Sequence, residues 1–176
     1  MRIIAGKNKG RKLKTFTGNE VRPTSDRARE ALFNIISSSV VGCDFLDLCA
    51  GTGAMGIEAH SRGANSVTFV DSSRESMKLC MENAKAIGIT ETFVIKDAIS
   101  FVKTAVKPFD IIFFDPPYAF TGVSEVLAQV KSRKLLKEGG LFIYEHDKSS
   151  ETKEVEGFSV IDSRKYGIAV FDFYKE

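Results

Sequence analysis

The sequence predicts a doubly wound α/β fold: a mostly parallel sheet with helices on both faces and an antiparallel hairpin at one edge. Three observations predict it. Short apolar runs flanked by turn residues recur at 43–48, 67–70, 93–95, 111–114 and 141–144, as in strands buried on both faces. Helix-like segments near 55–61, 74–87, 99–105 and 123–130 alternate with them. The last two apolar runs, 158–161 and 168–174, have no helix between them, only residues 162–167, so they pair antiparallel.

The elements follow in chain order. Ile3, Ile4 and Leu13 among Gly6, Gly10, Phe16 and Gly18 suggest a short β-hairpin or extended arm over residues 1–24, ahead of a main domain at 25–176. Arg22-Pro23-Thr24 stops the arm, and Thr24 or Ser25 caps a helix whose apolar face is Ala28, Ala31, Leu32, Ile35 and Ile36. Ser72-x-x-Glu75 reads as a capping box for the helix from 74, with Met77, Cys80, Met81 and Ala84 on one face and Gly88 just past its end.

At 176 residues and 43% hydrophobic content the chain is sized for one globular domain. No apolar run reaches membrane-spanning length, and no signal pattern opens the chain. Three cysteines, none in a C-x-x-C pair, and two histidines argue for reduced thiols, a cytoplasmic protein and no metal centre. Charge is uneven. Residues 1–29 hold nine bases and two acids (+7), and the rest holds sixteen bases against twenty-one acids (−5). A basic arm on an acidic body suits nucleic-acid binding; the alternative is a solvated edge that resists aggregation.

Asp47-Leu48-Cys49-Ala50-Gly51-Thr52-Gly53-Ala54-Met55-Gly56 follows the first strand and contains G-x-G-x-x-G, with Asp71 twenty residues after Gly51. Nearby charge selects the ligand. Asp47, Asp71, Asp97 and Asp115 all fall at carboxyl ends of strands, where such sheets bind ligands. Acids there disfavour the pyrophosphate of NAD and favour S-adenosylmethionine, with its ammonium, sulfonium, ribose diol and adenine amine. Asp71 is expected at the ribose, Asp97 at the adenine amine and Asp47 at the methionyl end. The cofactor set is Asp47, Ala50, Gly51, Thr52, Gly53, Asp71, Ser72, Asp97, Ala98 and Asp115. Taken singly, Asp97 also reads as a helix N-cap.

Asp115-Pro116-Pro117-Tyr118 follows the fourth strand. Two prolines end a strand rigidly. An exocyclic base amine is a poor nucleophile, since its lone pair is delocalised into the ring. Acceptors on its N–H groups, the Asp115 carboxylate and the Pro116 carbonyl, would aim that lone pair at the donor methyl and stabilise the developing positive charge. Tyr118 would stack on the extruded base.

This motif, with the Asp-Leu-Cys-Ala-Gly-Thr-Gly loop, resembles the class I S-adenosylmethionine-dependent amino-methyltransferases. Arg2-Ile3-Ile4-Ala5-Gly6, Arg22-Pro23-Thr24-x-x-Arg27, Ala31-Leu32-Phe33-Asn34-Ile35, Ser61-Arg62-Gly63-Ala64 and Lys165-Tyr166-Gly167 are similar to the bacterial RsmD family of small-subunit rRNA guanine-N2 methyltransferases, essentially end to end. The resemblance implies a Rossmann-like, seven-stranded class I fold with a small N-terminal β extension, and one guanine of small-subunit rRNA, within an assembled or assembling subunit, as target. The family usually carries Phe at Cys49 and Glu at Asp71. Asp115, Pro116, Pro117 and Tyr118 form the expected transfer site, and Arg2, Lys7, Lys9, Arg11, Lys12, Lys14, Arg22 and Arg27 the RNA-binding set of a monomer. The runner-up is a DNA adenine-N6 methyltransferase, disfavoured by the lack of length for a DNA-recognition domain. A protein-glutamine methyltransferase would more typically carry Asn at 115. An NAD-binding protein and a non-catalytic RNA-binding module are the readings from other classes.

Overall fold

The computed structural model describes residues 1–16, 24–150 and 153–176. In chain order the elements are α1 (Asp26–Ile35), α2 (Ser37–Val40), β1 (Asp44–Leu48), α3 (Ala54–Ser61), β2 (Ser66–Asp71), α4 (Arg74–Ala86), β3 (Thr92–Ile95), α5 (Ala98–Thr104), β4 (Phe109–Phe114), α6 (Val123–Ser132), β5 (Leu136–Asp147), β6 (Ser159–Tyr166) and β7 (Ala169–Lys175). The strands form one seven-stranded sheet in the order β3-β2-β1-β4-β5-β7-β6. β1 to β5 are parallel, and β7 runs antiparallel to both β5 and β6. The doubly wound sheet and its edge hairpin are therefore as predicted.

Strand periodicity divides the core in two. Phe45, Phe69, Phe113 and Phe171 pack with α1 to α4, whereas Leu46, Leu48, Phe114 and Tyr174 pack with α5 and α6. From β1 the chain moves outward to β2 and β3, then returns to place β4 on β1's other side. That reversal opens a crevice at the carboxyl ends of β1 and β4.

The arm is a hairpin. Arg2 bridges Lys12, Ile3 N donates to Arg11 O at 3.0 Å, and Gly10 N donates to Ile3 O at 2.8 Å. Ile3 and Leu13 are buried in the α1–α4 core. Backbone bonds hold the arm down: the buried Glu58 of α3 accepts from Ile4 N at 2.8 Å and Ala5 N at 3.0 Å. Gly6 has φ +80°, and a Cβ there would stand 1.8 Å from Ser61 O, so only glycine lets the turn approach α3. Among the described residues no helix is long and apolar enough to cross a membrane.

The structure corrects four details. Ser73, not Ser72, caps α4: its Oγ accepts from Ser76 N at 3.1 Å, while Asp71 Oδ1 accepts from Ser73 N at 2.8 Å, which displaces Ser72 into the turn. On α4 the inward position is Asn83, and Met81 is exposed, because the Asn83 amide is used where the arm crosses the helix. On α1, Arg29 and Phe33 are buried and Ile35 faces out. β6 extends to Tyr166, so the hairpin turn is short and centred on Gly167 at φ +69°. The expected Gly88 stop holds: at φ +76° it donates to Lys85 O, and Ile89 N donates to Ala84 O, a Schellman pair.

Candidate active site

The glycine loop is tied to both neighbouring elements. Cys49 N and Ala50 N both donate to Val70 O at 2.9 Å, and Gly53 N closes a turn on Ala50 O at 2.7 Å. Gly53, at φ +79°, is the N-cap of α3. A Cβ on Gly56 would lie 2.4 Å from the Phe69 ring, so glycine permits α3 to press against β2. Gly51, Ala50 and Thr52 complete the loop, and Thr52 O accepts from Asn83 Nδ2 at 3.0 Å.

The acids occupy different electrostatic situations. Asp47 is 1% exposed, and its Oδ2 accepts from Gly56 N at 2.8 Å. Burial pushes its pKa up to about 8, with the Gly56 bond opposing and Asp71 adding repulsion. Asp71 Oδ2 accepts from Gly51 N at 2.8 Å, locking the loop to the end of β2. The two backbone donors leave the carboxylate further acceptor sites. Asp97 is exposed and caps α5, its Oδ1 accepting from Ser100 N at 2.8 Å; that bond lowers its pKa. Ala98, the first residue of α5, is buried, and Ser72 is exposed.

Asp115 comes next to the same rim. The β1–β4 register pairs Leu48 with Phe114, and Asp115 N donates to Leu48 O at 3.3 Å. The acids converge on Cys49: burial, then Asp71, Asp115, Asp47 and Asp97 in turn, raise its thiol pKa. The sequence-predicted carboxylates are thus gathered around one loop residue. Desolvation raises the Asp115 pKa well above its ordinary value, with repulsion from Glu145 and then Asp47 adding to it. Pro116 is buried, Pro117 is exposed, and Tyr118 is 61% exposed beyond them. Phe120 N turns back onto Pro117 O at 2.8 Å, and its ring meets Phe114 edge-on at 5.7 Å, which fixes the corner.

The cations separate into two groups. Lys7, Lys9, Arg11 and Lys12 are exposed and form no ion pair among the described residues, while Lys14 pairs with Glu82 at 2.9 Å and Arg2 approaches Asp26 at 4.0 Å. Arg27 instead lines a cavity of about 310 Å³ with Thr24, Tyr118, Glu145, Lys165 and Tyr166. Arg22 lies outside the described residues.

Glu145, Thr24, Lys165 and Tyr166 line the cavity with Tyr118, a place that the sequence alone assigned to none of the four. Glu145 follows the predicted strand 141–144 just as Asp115 follows 111–114, so the acid-after-strand rule already pointed to it. Its place in β5 and its bond to Thr24, 121 residues away in sequence, needed the fold.

The family model described as Conserved hypothetical protein 95 matches residues 1–175. The chain is 35% identical over 182 residues to the Bacillus subtilis protein YlbH, covering 100% of this chain and 99% of that one. It is 29% identical over 180 residues to the Haemophilus influenzae protein named Ribosomal RNA small subunit methyltransferase D, covering 99% and 93% respectively. The solved structure of yhhF from Escherichia coli superposes with a TM-score of 0.88 at 30% identity, covering 99% of this chain and 96% of the other. A glycine loop backed by strand-end acids, the Asp-Pro-Pro-Tyr corner beside it and a match along nearly the whole chain place this protein in the RsmD-type methyltransferase family.

Proposed function

We propose that this protein transfers the methyl group of S-adenosylmethionine to the N2 amine of a guanine in small-subunit rRNA. The observation that carries the reading is the backbone bond from Asp115 to Leu48, which sets the Asp-Pro-Pro-Tyr corner directly beside the loop leading to Gly51 and Gly53. S-adenosylmethionine is the donor, and the residues fit it. Loop backbone and Asp71 hold the ribose side, α5's start and Asp97 the adenine, and the buried Asp47 faces the ammonium end. A cation there relieves the desolvation that keeps Asp47 protonated.

Transfer needs orientation more than proton removal. Asp115 and the Pro116 carbonyl accept from the amine, aligning its lone pair with the sulfonium methyl, and Tyr118 offers a stacking face. The proton leaves only after nitrogen becomes cationic, and the elevated Asp115 carboxyl, once ionised, is a ready acceptor. The exposed arm cations supply phosphate contacts. The name of the Haemophilus relative and the resemblance to guanine-N2 enzymes support rRNA and guanine as the targets.

The test is tritium transfer from labelled S-adenosylmethionine to small subunits lacking the modification, followed by mass spectrometry of the nucleosides. N2-methylguanosine is expected. Label on another base, or none on rRNA, overturns the reading.

A further inference from the structure

Glu145 is a buried carboxylate with one oxygen committed and one available. It is 6% exposed; Thr24 Oγ1 donates to its Oε2 at 2.7 Å, and Oε1 has no hydrogen-bond partner among the described residues. That oxygen is not sealed from solvent, and the residue lines the cavity shared with Tyr118, Arg27, Lys165 and Tyr166. At about 310 Å³ the cavity is within the range of small-ligand sites. Because β4 and β5 pair Phe114 with Tyr144, Glu145 stands beside Asp115.

Two acceptors side by side match one edge of guanine. The N2 amine and the N1–H are adjacent donors on that edge, whereas adenine presents an acceptor at N1 beside its amine. We propose that Glu145, its carboxyl fixed by Thr24, is the specificity-determining residue that accepts the N1–H of the target base while Asp115 and Pro116 hold the neighbouring amine. This rests on the guanine-N2 reading above and adds to it the reason guanine is chosen. A base with a lone pair at N1 meets the oxygen of Glu145 and is repelled. Tyr118 and Tyr166 line the cavity, and Arg27 and Lys165 supply positive charge for the nucleotide's phosphates.

The experiment uses full-length protein and small subunits assembled on rRNA made by splinted ligation, with guanine or 2-aminopurine at the methylated position. 2-Aminopurine keeps the 2-amine but has an acceptor at N1. The wild type is expected to favour guanine by about thirtyfold or more in kcat/KM. In Glu145→Gln the Thr24 hydroxyl holds the amide oxygen and turns the NH2 toward the cavity, so the preference narrows by about tenfold or inverts. Comparing the two ratios cancels the intrinsic reactivity of each amine. Thr24→Val, which frees the carboxyl without removing it, should narrow the ratio less and provides the readout if Glu145→Gln fails to fold.

A wild type that treats both bases alike overturns the proposal, as does an unchanged ratio in the folded variants. A folded Glu145→Gln protein that binds donor but is inactive on both RNAs also overturns it, since Glu145 would then serve transfer regardless of N1. Absence of N2-methylguanosine from the wild-type guanine reaction instead overturns the reading on which it rests.

Discussion

Glu145 and Asp115 stand side by side at the carboxyl ends of β5 and β4, and the charge of Glu145 helps hold the Asp115 carboxyl above its ordinary range. Desolvation is the larger cause for Asp115, and it also raises Glu145, against the opposing Thr24 hydroxyl and His146. Two adjacent, desolvated carboxyls resist carrying two charges at once. On the proposed reading, a guanine edge that brings one N–H to each carboxyl lowers that resistance.

Asp115→Asn keeps the shape of the corner and removes the charge that stabilises the developing ammonium. Transfer to small subunits should fall by about 10² to 10³-fold. Donor binding measured by titration calorimetry should fall much less. Turnover near the wild-type rate would remove Asp115 from the reaction.

Asp47 predicts a pH signature. Its carboxyl rises from an ordinary 3.8 to about 8 on folding, so the folded state prefers it protonated. Below pH 4 both states hold the proton and the group costs nothing. As pH climbs from about 4 to 8 the unfolded chain ionises first, and stability falls, reaching its full loss above 8. The loss is on the order of a few kcal/mol. Asp47→Asn should therefore flatten the decline of apo-protein Tm between pH 5 and 8.5, and weaken S-adenosylmethionine binding about tenfold or more. An unflattened Tm curve would contradict the buried, protonated state.

Asp97 has two roles to separate. Its bond to Ser100 N caps α5, and Asp97→Ala should cost about 1 kcal/mol in denaturant unfolding. Asp97→Ser restores the cap without the carboxylate. Stability should return while donor affinity stays low; recovery of both would leave only the capping role.

The arm predicts a contrast between side chains and backbone. Replacing Lys7, Lys9, Arg11 and Lys12 with Ala should leave Tm nearly unchanged, because those side chains are exposed. RNA affinity should drop, and the log–log salt slope should decrease by about 0.7 to 0.9 for each phosphate no longer neutralised. An unchanged slope would assign the arm to structure.

Glu58 should behave oppositely. It is fully buried, bonds Ile4 N and Ala5 N, and pairs with Arg62 Nε at 2.8 Å and with buried Arg29 at 3.7 Å. Glu58→Ala leaves two backbone donors unanswered and buried Arg29 with only Asp26 as a carboxylate partner, a loss of about 3 to 5 kcal/mol. Hydrogen exchange at residues 3–13 should accelerate before the sheet opens. Equal protection in both proteins would show that the arm is held by its apolar residues alone.

What the linear chain determined is whatever local chemistry dictates. Apolar runs of strand length, Gly88 as a helix stop, glycines at Gly53 and Gly56, and an acid followed by two prolines each have a meaning within a few residues. Their order sufficed for the parallel sheet and for the loop at its rim. Tertiary structure alone decided which polar groups turn inward. Asn83 displaced Met81 from the core because the arm's Lys14 and the loop's Thr52 O meet there, with Lys14 N donating to Asn83 Oδ1 and Asn83 Nδ2 donating to Lys14 O and Thr52 O. Arg29 is buried where Glu58, three elements on in α3, stands 3.7 Å from its Nε and Asp26 of its own helix pairs with it at 3.0 Å. Glu145 gained its neighbours only when β5 settled beside β4 and Thr24 folded against it. Periodicity counts apolar side chains along one segment; a buried polar group is stable only through partners that distant segments bring to it.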